Sequence, residues 1–178
     1  WRFDVNKPEY RVDAEGKPRR YATRNGPSEC LGTPITWDGK VYASIGQDPE
    51  HGDGVGRLVC IDPSGSGDVT KTHQVWAYDK IRRAISTAAV LDGMLVMADY
   101  AGFVYCLDAK TGKEHWVHDT KAHIWGSPLL ADGKVDPDAF ERQDLERLGM
   151  PREIAMRHRL PHFTHLFDND GYAAGYYS

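Results

Sequence analysis

One pattern recurs about every 40 residues along most of this chain, and it restricts the possible folds more than any other feature. Each copy opens on small residues followed by an Asp-Gly pair: Gly32-Thr33-Pro34 before Asp38-Gly39, Ser86-Thr87-Ala88 before Asp92-Gly93, and Gly126-Ser127-Pro128 before Asp132-Gly133. The Asp-Gly pairs are 54 and 40 residues apart, the longer interval holding insertions. Apolar or alternating runs of strand length surround them, at 40–45, 57–61, 94–98 and 103–107. Asp-Gly between two such runs signals a hairpin, because both central residues of the favoured turn need positive φ. Each copy closes on a Trp with an aromatic ring two places on and then Asp: Trp1-Arg2-Phe3-Asp4, Trp76-Ala77-Tyr78-Asp79 and Trp116-Val117-His118-Asp119. Four short strands per repeat of about 40 residues is the arithmetic of a propeller blade. The expected fold is therefore mainly β, a partial β-propeller of about two and a half four-stranded blades, with a short α-helical C-terminal segment.

Phe103-Val104-Tyr105-Cys106-Leu107-Asp108-Ala109-Lys110-Thr111-Gly112-Lys113-Glu114-His115-Trp116 resembles the signature of the pyrroloquinoline-quinone-type propeller repeat, and residues 1–135 fit that repeat. The resemblance implies a parent of about seven or eight blades. In the signature, Thr-Gly makes the tight turn between strands and the Trp buries a large area between adjacent blades. Trp1, Trp76 and Trp116, with Gly39, Gly93, Gly112 and Gly133, are thus the structural residues of the repeat. Most relatives with this repeat bind no quinone. Those that do use adjacent cysteines and a calcium ion, and no two cysteines are adjacent here, so no quinone site and no metal site are expected. Residues 45–52 and 121–127 resemble a bacterial extracytoplasmic subgroup, which implies a periplasmic or otherwise extracytoplasmic parent.

Charge and composition narrow the function classes. A net charge of −4, with Lys and Arg scattered among acids, offers no cationic surface to a phosphate backbone, so nucleic acid is not an expected partner. No run of 18 apolar residues is present, so no membrane span is expected. Cys30, Cys60 and Cys106 are odd in number and widely spaced, which fits neither a disulfide framework nor a four-thiolate zinc site. Cys60 and Cys106 sit inside apolar runs and read as small core hydrophobes.

After Gly133 the text changes character. Asp136 can cap a helix with Pro137 at its first position, Phe140, Leu145 and Leu148 share one face, and Gly149 ends it; a second helix is expected from Pro151 toward Leu160. Residues 149–159, His162-Phe163-Thr164-His165-Leu166-Phe167 and Gly171-Tyr172-Ala173-Ala174-Gly175-Tyr176-Tyr177-Ser178 resemble the C-terminal part of zinc metallopeptidases of the peptidyl-dipeptidase and thimet oligopeptidase family. The resemblance implies substrate contacts from His165 and Tyr172, with Tyr176 nearby, donors suited to a developing oxyanion. That family's His-Glu-x-x-His zinc site occurs nowhere in this sequence, so the chain has no expected catalytic residue, and no peptidase activity is expected with zinc added. Two unrelated motifs meeting near residues 133–138, one filling 1–135 and the other 136–178, suggest a fusion of gene fragments.

Other constellations have simpler readings. His158, His162 and His165 have ligand-like spacings, but Pro161 interrupts the helix that would align them. Gly52-Asp53-Gly54-Val55-Gly56 lies between strand-like runs rather than before a helix, and so reads as a hairpin insertion. Asp168-Asn169-Asp170-Gly171 is followed by too few residues for a calcium loop. The expected function is a non-catalytic scaffold whose loops at one end of the ring meet a protein or peptide partner, and a ring this incomplete is expected to be poorly soluble. The alternative is a fragment of a zinc-dependent oligopeptidase of the peptidyl-dipeptidase type, contributing a substrate-binding His and Tyr but lacking the zinc site.

Overall fold

A computed structural model describes residues 1–21, 23, 26–46, 56–131, 134–137, 166–167 and 173–174. The chain folds into two four-stranded antiparallel sheets of identical connectivity. The first holds β1 (Ile35–Trp37), β2 (Lys40–Ile45), β3 (Arg57–Ile61) and β4 (Gln74–Tyr78); the second holds β5 (Ala89–Leu91), β6 (Met94–Ala98), β7 (Phe103–Asp108) and β8 (Glu114–Asp119). A hairpin of β9 (Pro128–Ala131) and β10 (Lys134–Pro137) starts a third unit, and β11 (Leu166–Phe167) pairs with β12 (Ala173–Ala174). Among the described residues the one helix is a single turn, α1 (Pro8–Arg11).

The hairpins form where Asp-Gly stands. Both central residues have positive φ, 48° and 70° at Asp38 and Gly39, 50° and 80° at Asp92 and Gly93, which matches the twist of the flanking strands. Each sheet also carries an irregularity at one equivalent place. Cys60 pairs with Trp76 and Ile61 with Gln74, leaving Val75 as an extra residue; Cys106 pairs with Trp116 and Leu107 with Glu114, leaving His115. These β-bulges kink the outer strand just before its Trp and re-aim that side chain.

The sheets stack face to face. Tyr42, Leu58, Cys60, Trp76 and Tyr78 of the first meet Leu95, Met97, Tyr105 and Leu107 of the second in one core. The opposite face of the first sheet, Ala43, Val59 and Ile61, is covered by Phe3 and Val5, so the N-terminal closing motif lies against the first unit. The opposite face of the second, Val96, Ala98, Val104 and Cys106, packs on Ile124 and Leu130. Burial on both faces explains why β3 and β7 are unbroken apolar runs rather than alternating ones. Cys60 and Cys106 occupy these two central strands as buried free thiols, whereas Cys30 is exposed.

The third unit corrects one expectation. Asp136 and Pro137 do not open a helix: they lie in β10, opposite Leu129 and Pro128 of β9. Ladder pairing with the adjacent strand outweighs the local capping preference, and Pro at the strand's end sacrifices no interior ladder bond. Residues 138–165, where the rest of the expected helices fall, lie outside the described residues, as do Asp132 and Gly133.

The small residues opening each unit make contacts from unit to unit. The Thr33 N–H donates to the Thr87 hydroxyl at 3.0 Å, and the Thr87 N–H donates to the Ser127 hydroxyl at 2.9 Å. A Cβ on Gly32 would stand 2.3 Å from the Ser86 carbonyl oxygen, so the approach there needs glycine.

Turns at the other end are held by aspartates. Asp62 accepts from the Ser64 N–H at 2.9 Å, Asp68 from the Thr70 N–H at 3.1 Å, and Asp108 from the Thr111 N–H and hydroxyl, both at 2.8 Å. These bonds, chiefly to the neighbouring Ser and Thr, hold the carboxyls of Asp62 and Asp68 at about 2 and lower that of Asp108. A carboxyl lowered by folding stabilises the fold above its unfolded pKa, near 3.8, and loses that contribution as pH falls through its folded value. The midpoint of urea unfolding is therefore expected to hold from pH 6 to about 4 and to fall between about 4 and 2. A midpoint that stays level down to pH 2 would contradict this account of the turns.

Candidate functional site

At the end of the sheets opposite those turns, three connections converge: residues 79–88 between the sheets, 99–102 between β6 and β7, and 120–127 leading to β9. Backbone bonds lock them together. The Tyr100 N–H donates to the Arg83 carbonyl at 3.1 Å, and the Thr120 N–H donates to the Gly102 carbonyl at 2.9 Å. Gly102 has φ of 99°, and a Cβ there would stand 2.1 Å from the Ala122 carbonyl oxygen, so both conformation and space demand glycine.

Rings and guanidinium groups gather on this frame. The Tyr100 ring stacks on His123 with centroids 4.5 Å apart and planes 12° from parallel, and meets Trp125 edge-on at 5.0 Å. A ring nitrogen of His123, Nδ1, lies 3.0 Å from the Tyr100 carbonyl oxygen. The Arg83 guanidinium lies 4.4 Å from the Tyr100 centroid, and that of Arg82 lies 5.2 Å from the Phe103 centroid. Trp125 keeps 42% of its surface exposed. Rigid aromatics and stacked guanidinium groups at a partly exposed surface supply contact area at low entropic cost, which suits recognition.

Beneath the surface Asp99 is buried and fixes the frame. It accepts the Tyr105 O–H at 2.6 Å, the Phe103 N–H at 3.0 Å and the Arg82 N–H at 3.3 Å. Burial first, then the bond to Asp99 and its charge, push the Tyr105 phenol above its ordinary range and keep it a neutral donor.

The repeat residues have unequal surroundings. Trp76 is buried, its indole N–H donates to the Ala109 carbonyl at 3.0 Å, and its ring lies on Gly112, where a Cβ would stand 2.6 Å from the Trp76 Cδ2 atom. Gly112 is thus required twice, by a φ of 70° and by the neighbouring unit's indole. Trp116 and Trp1 are exposed instead, at 42% and 53%. Gly39 and Gly93 lie in the hairpin turns, whereas Gly133 lies outside the described residues. So do His165, Tyr172 and Tyr176, His158 and His162, residues 52–55 and 168–171. Among the described residues no three His, Cys, Asp or Glu side chains gather as metal ligands, and no helix is long and apolar enough to cross a membrane.

The loop cluster itself was not singled out from the sequence, because Arg83, Tyr100 and His123 are far apart along the chain and belong to no motif. The available hint was the 121–127 segment, noted there only for its likeness to a subgroup.

Comparison with known proteins agrees with the repeat. The sequence matches the family described as outer membrane protein assembly factor BamB over residues 56–145. The serine/threonine-protein kinase AfsK of Streptomyces griseus is 32% identical over 108 residues, 58% of this chain and 12% of the kinase. Among solved structures, the quinohemoprotein alcohol dehydrogenase ADHIIG of Pseudomonas putida is similar with a TM-score of 0.45 and 24% identity, over 64% of this chain and 18% of that one. BamB of Moraxella catarrhalis is similar with a TM-score of 0.42 and 18% identity, over 61% of this chain and 30% of that one. The chain spans less than a third of each of these proteins. The family match runs through residue 145, past the expected boundary at 135, and ends before the run from Gly149 whose residues resemble the peptidase.

Proposed function

Since the chain belongs to the propeller-repeat family of the outer membrane protein assembly factor BamB, we propose that it is a non-catalytic part of a scaffold that holds a protein or peptide partner on its loop end. The observation that carries this reading is the cluster of Arg83, Tyr100, His123 and exposed Trp125 on three connections locked together by backbone bonds. Placement outside the cytoplasm is part of the proposal, supported by the family's description.

No quinone is part of it. Cys60 and Cys106 are buried in different sheets and Cys30 is exposed elsewhere, so the thiols do not fit a site built on adjacent cysteines.

Site-specific photocrosslinking tests the scaffold reading. A photoreactive residue in place of Trp125, in cells that make the full parent, is expected to capture a discrete partner, and one in place of Thr111 at the opposite end is not. Equal capture at both ends, or none at 125, would remove the loop end from consideration.

A further inference from the structure

β8 is the outermost strand of the second sheet. Among the described residues no strand lies beyond it, so the N–H and C=O groups on its outer side have no ladder partner. Such an edge is a template for a further strand unless cationic side chains, proline or bulges blunt it. β8 contains no Lys, Arg or Pro. Its bulge at His115 comes near its start, and past it Trp116, Val117, His118 and Asp119 stay in regular register opposite Cys106, Tyr105, Val104 and Phe103. The outer strand of the first sheet, β4, buries Trp76 and Tyr78 in the joint, whereas β8 leaves Trp116 and Val117 exposed. The carboxylates at the two ends of β8 are already paired: Glu114 accepts from Tyr78 and Lys80, at 2.6 and 2.9 Å, and Asp119 pairs with Lys121.

We infer that β8 pairs antiparallel with β8 of a second copy of this chain, about a two-fold axis through Val117. A two-fold normal to the sheet keeps each side chain on its own face, so the register must centre on a residue. Centring on Trp116 sets Val117 against the bulged His115, and centring on His118 sets imidazole against imidazole and Val117 against the Asp119 carboxylate. Centring on Val117 avoids both: the two valines face each other, and each Trp116 ring lies opposite His118 of the other copy. Cross-strand aromatic and β-branched pairs of this kind add to the ladder bonds, and the isologous contact closes at two copies. So few pairs bury a small area, which makes the dimer weak, half-associated near about 100 μM and monomeric at the few micromolar of an unfolding measurement. The surface includes none of Arg83, Tyr100, His123 and Trp125, so it stands apart from the loop-end reading.

Sedimentation equilibrium of the 178-residue chain, from about 5 to about 300 μM, tests the pairing. The apparent mass is expected to rise from that of one chain toward that of two. Val117→Lys sets two ammonium groups across the axis and is expected to weaken association by about tenfold or more. Trp116→Ala should weaken it by a smaller factor. Val75→Lys places the same charge at the exposed bulge residue of β4 and should leave association unchanged. Circular dichroism monitors folding of each variant; if Val117→Lys unfolds, Trp116→Ala carries the test. A single-chain mass at every concentration overturns the inference, and so does a mass that climbs past two chains. A dimer that Val117→Lys leaves intact, or that Val75→Lys weakens equally, overturns it as well.

Discussion

Trp76→Ala is expected to destabilise the chain by about 3–5 kcal/mol, the range for truncating a large buried aromatic side chain. The indole closes the joint between the two sheets. It packs on Tyr42 with centroids 5.9 Å apart and covers Gly112 of the next unit. Its N–H and the Tyr42 O–H both reach the Ala109 carbonyl, at 3.0 and 3.1 Å. Truncation opens a cavity and removes one of those donors, and stability in repeat architectures depends on such nearest-neighbour interfaces. A loss of this size is a large part of the roughly 5–15 kcal/mol of a typical domain. Gly112→Ala should act on the same joint from the other side, since its Cβ would strike the indole at 2.6 Å and its φ of 70° disfavours a side chain. The control is Trp116→Ala, the same repeat position on an exposed side chain, expected to change stability by about 0.5 kcal/mol or less. Urea unfolding followed by circular dichroism compares the three. Equal losses at positions 76 and 116 would show that the joint does not act as described.

The second large effect belongs to Asp99→Ala. Three donors converge on this buried carboxylate, and removing it leaves the Tyr105 O–H and two backbone N–H groups without their acceptor. Each buried donor so orphaned costs about 1–3 kcal/mol, less where water can enter, so a total of roughly 3–5 kcal/mol is expected. Asp99→Asn keeps one acceptor oxygen and should cost less. A titration gives an independent reading: without the carboxylate, Tyr105 loses its hydrogen-bond acceptor and a nearby negative charge, and its ionisation should move down toward the ordinary tyrosine range while burial still holds it above. Urea unfolding together with alkaline absorbance of the phenol checks both effects. An unchanged Tyr105 titration in a folded Asp99→Ala variant would mean that the bond does not govern the phenol.

Much of the architecture was legible before any coordinates. The Asp-Gly pairs located the hairpins because positive φ at two consecutive residues is a local requirement that few sequences meet. The apolar runs around Cys60 and Cys106 located the central strands because burial on both faces needs unbroken hydrophobic stretches. Spacing of the Trp closures counted the units, since each copy repeats the same local signals. These features depend on neighbours in sequence, and the chain alone determined them: two complete four-stranded units and the hairpin of a third.

What depends on residues far apart in the chain was decided by the tertiary structure. Trp76 and Trp116 are equivalent in the text and unequal in space, because burial depends on whether a Gly112-type turn lies against the ring. The bulges at Val75 and His115, which aim each Trp, are visible only as a mismatch between paired strands. Asp136 and Pro137 carry the local marks of a helix start and form a strand because β9 lies alongside to pair with them. Arg83, Tyr100 and His123 became one surface only when three connections folded to the same end, since stacking is set by distance through space and leaves no trace in sequence spacing.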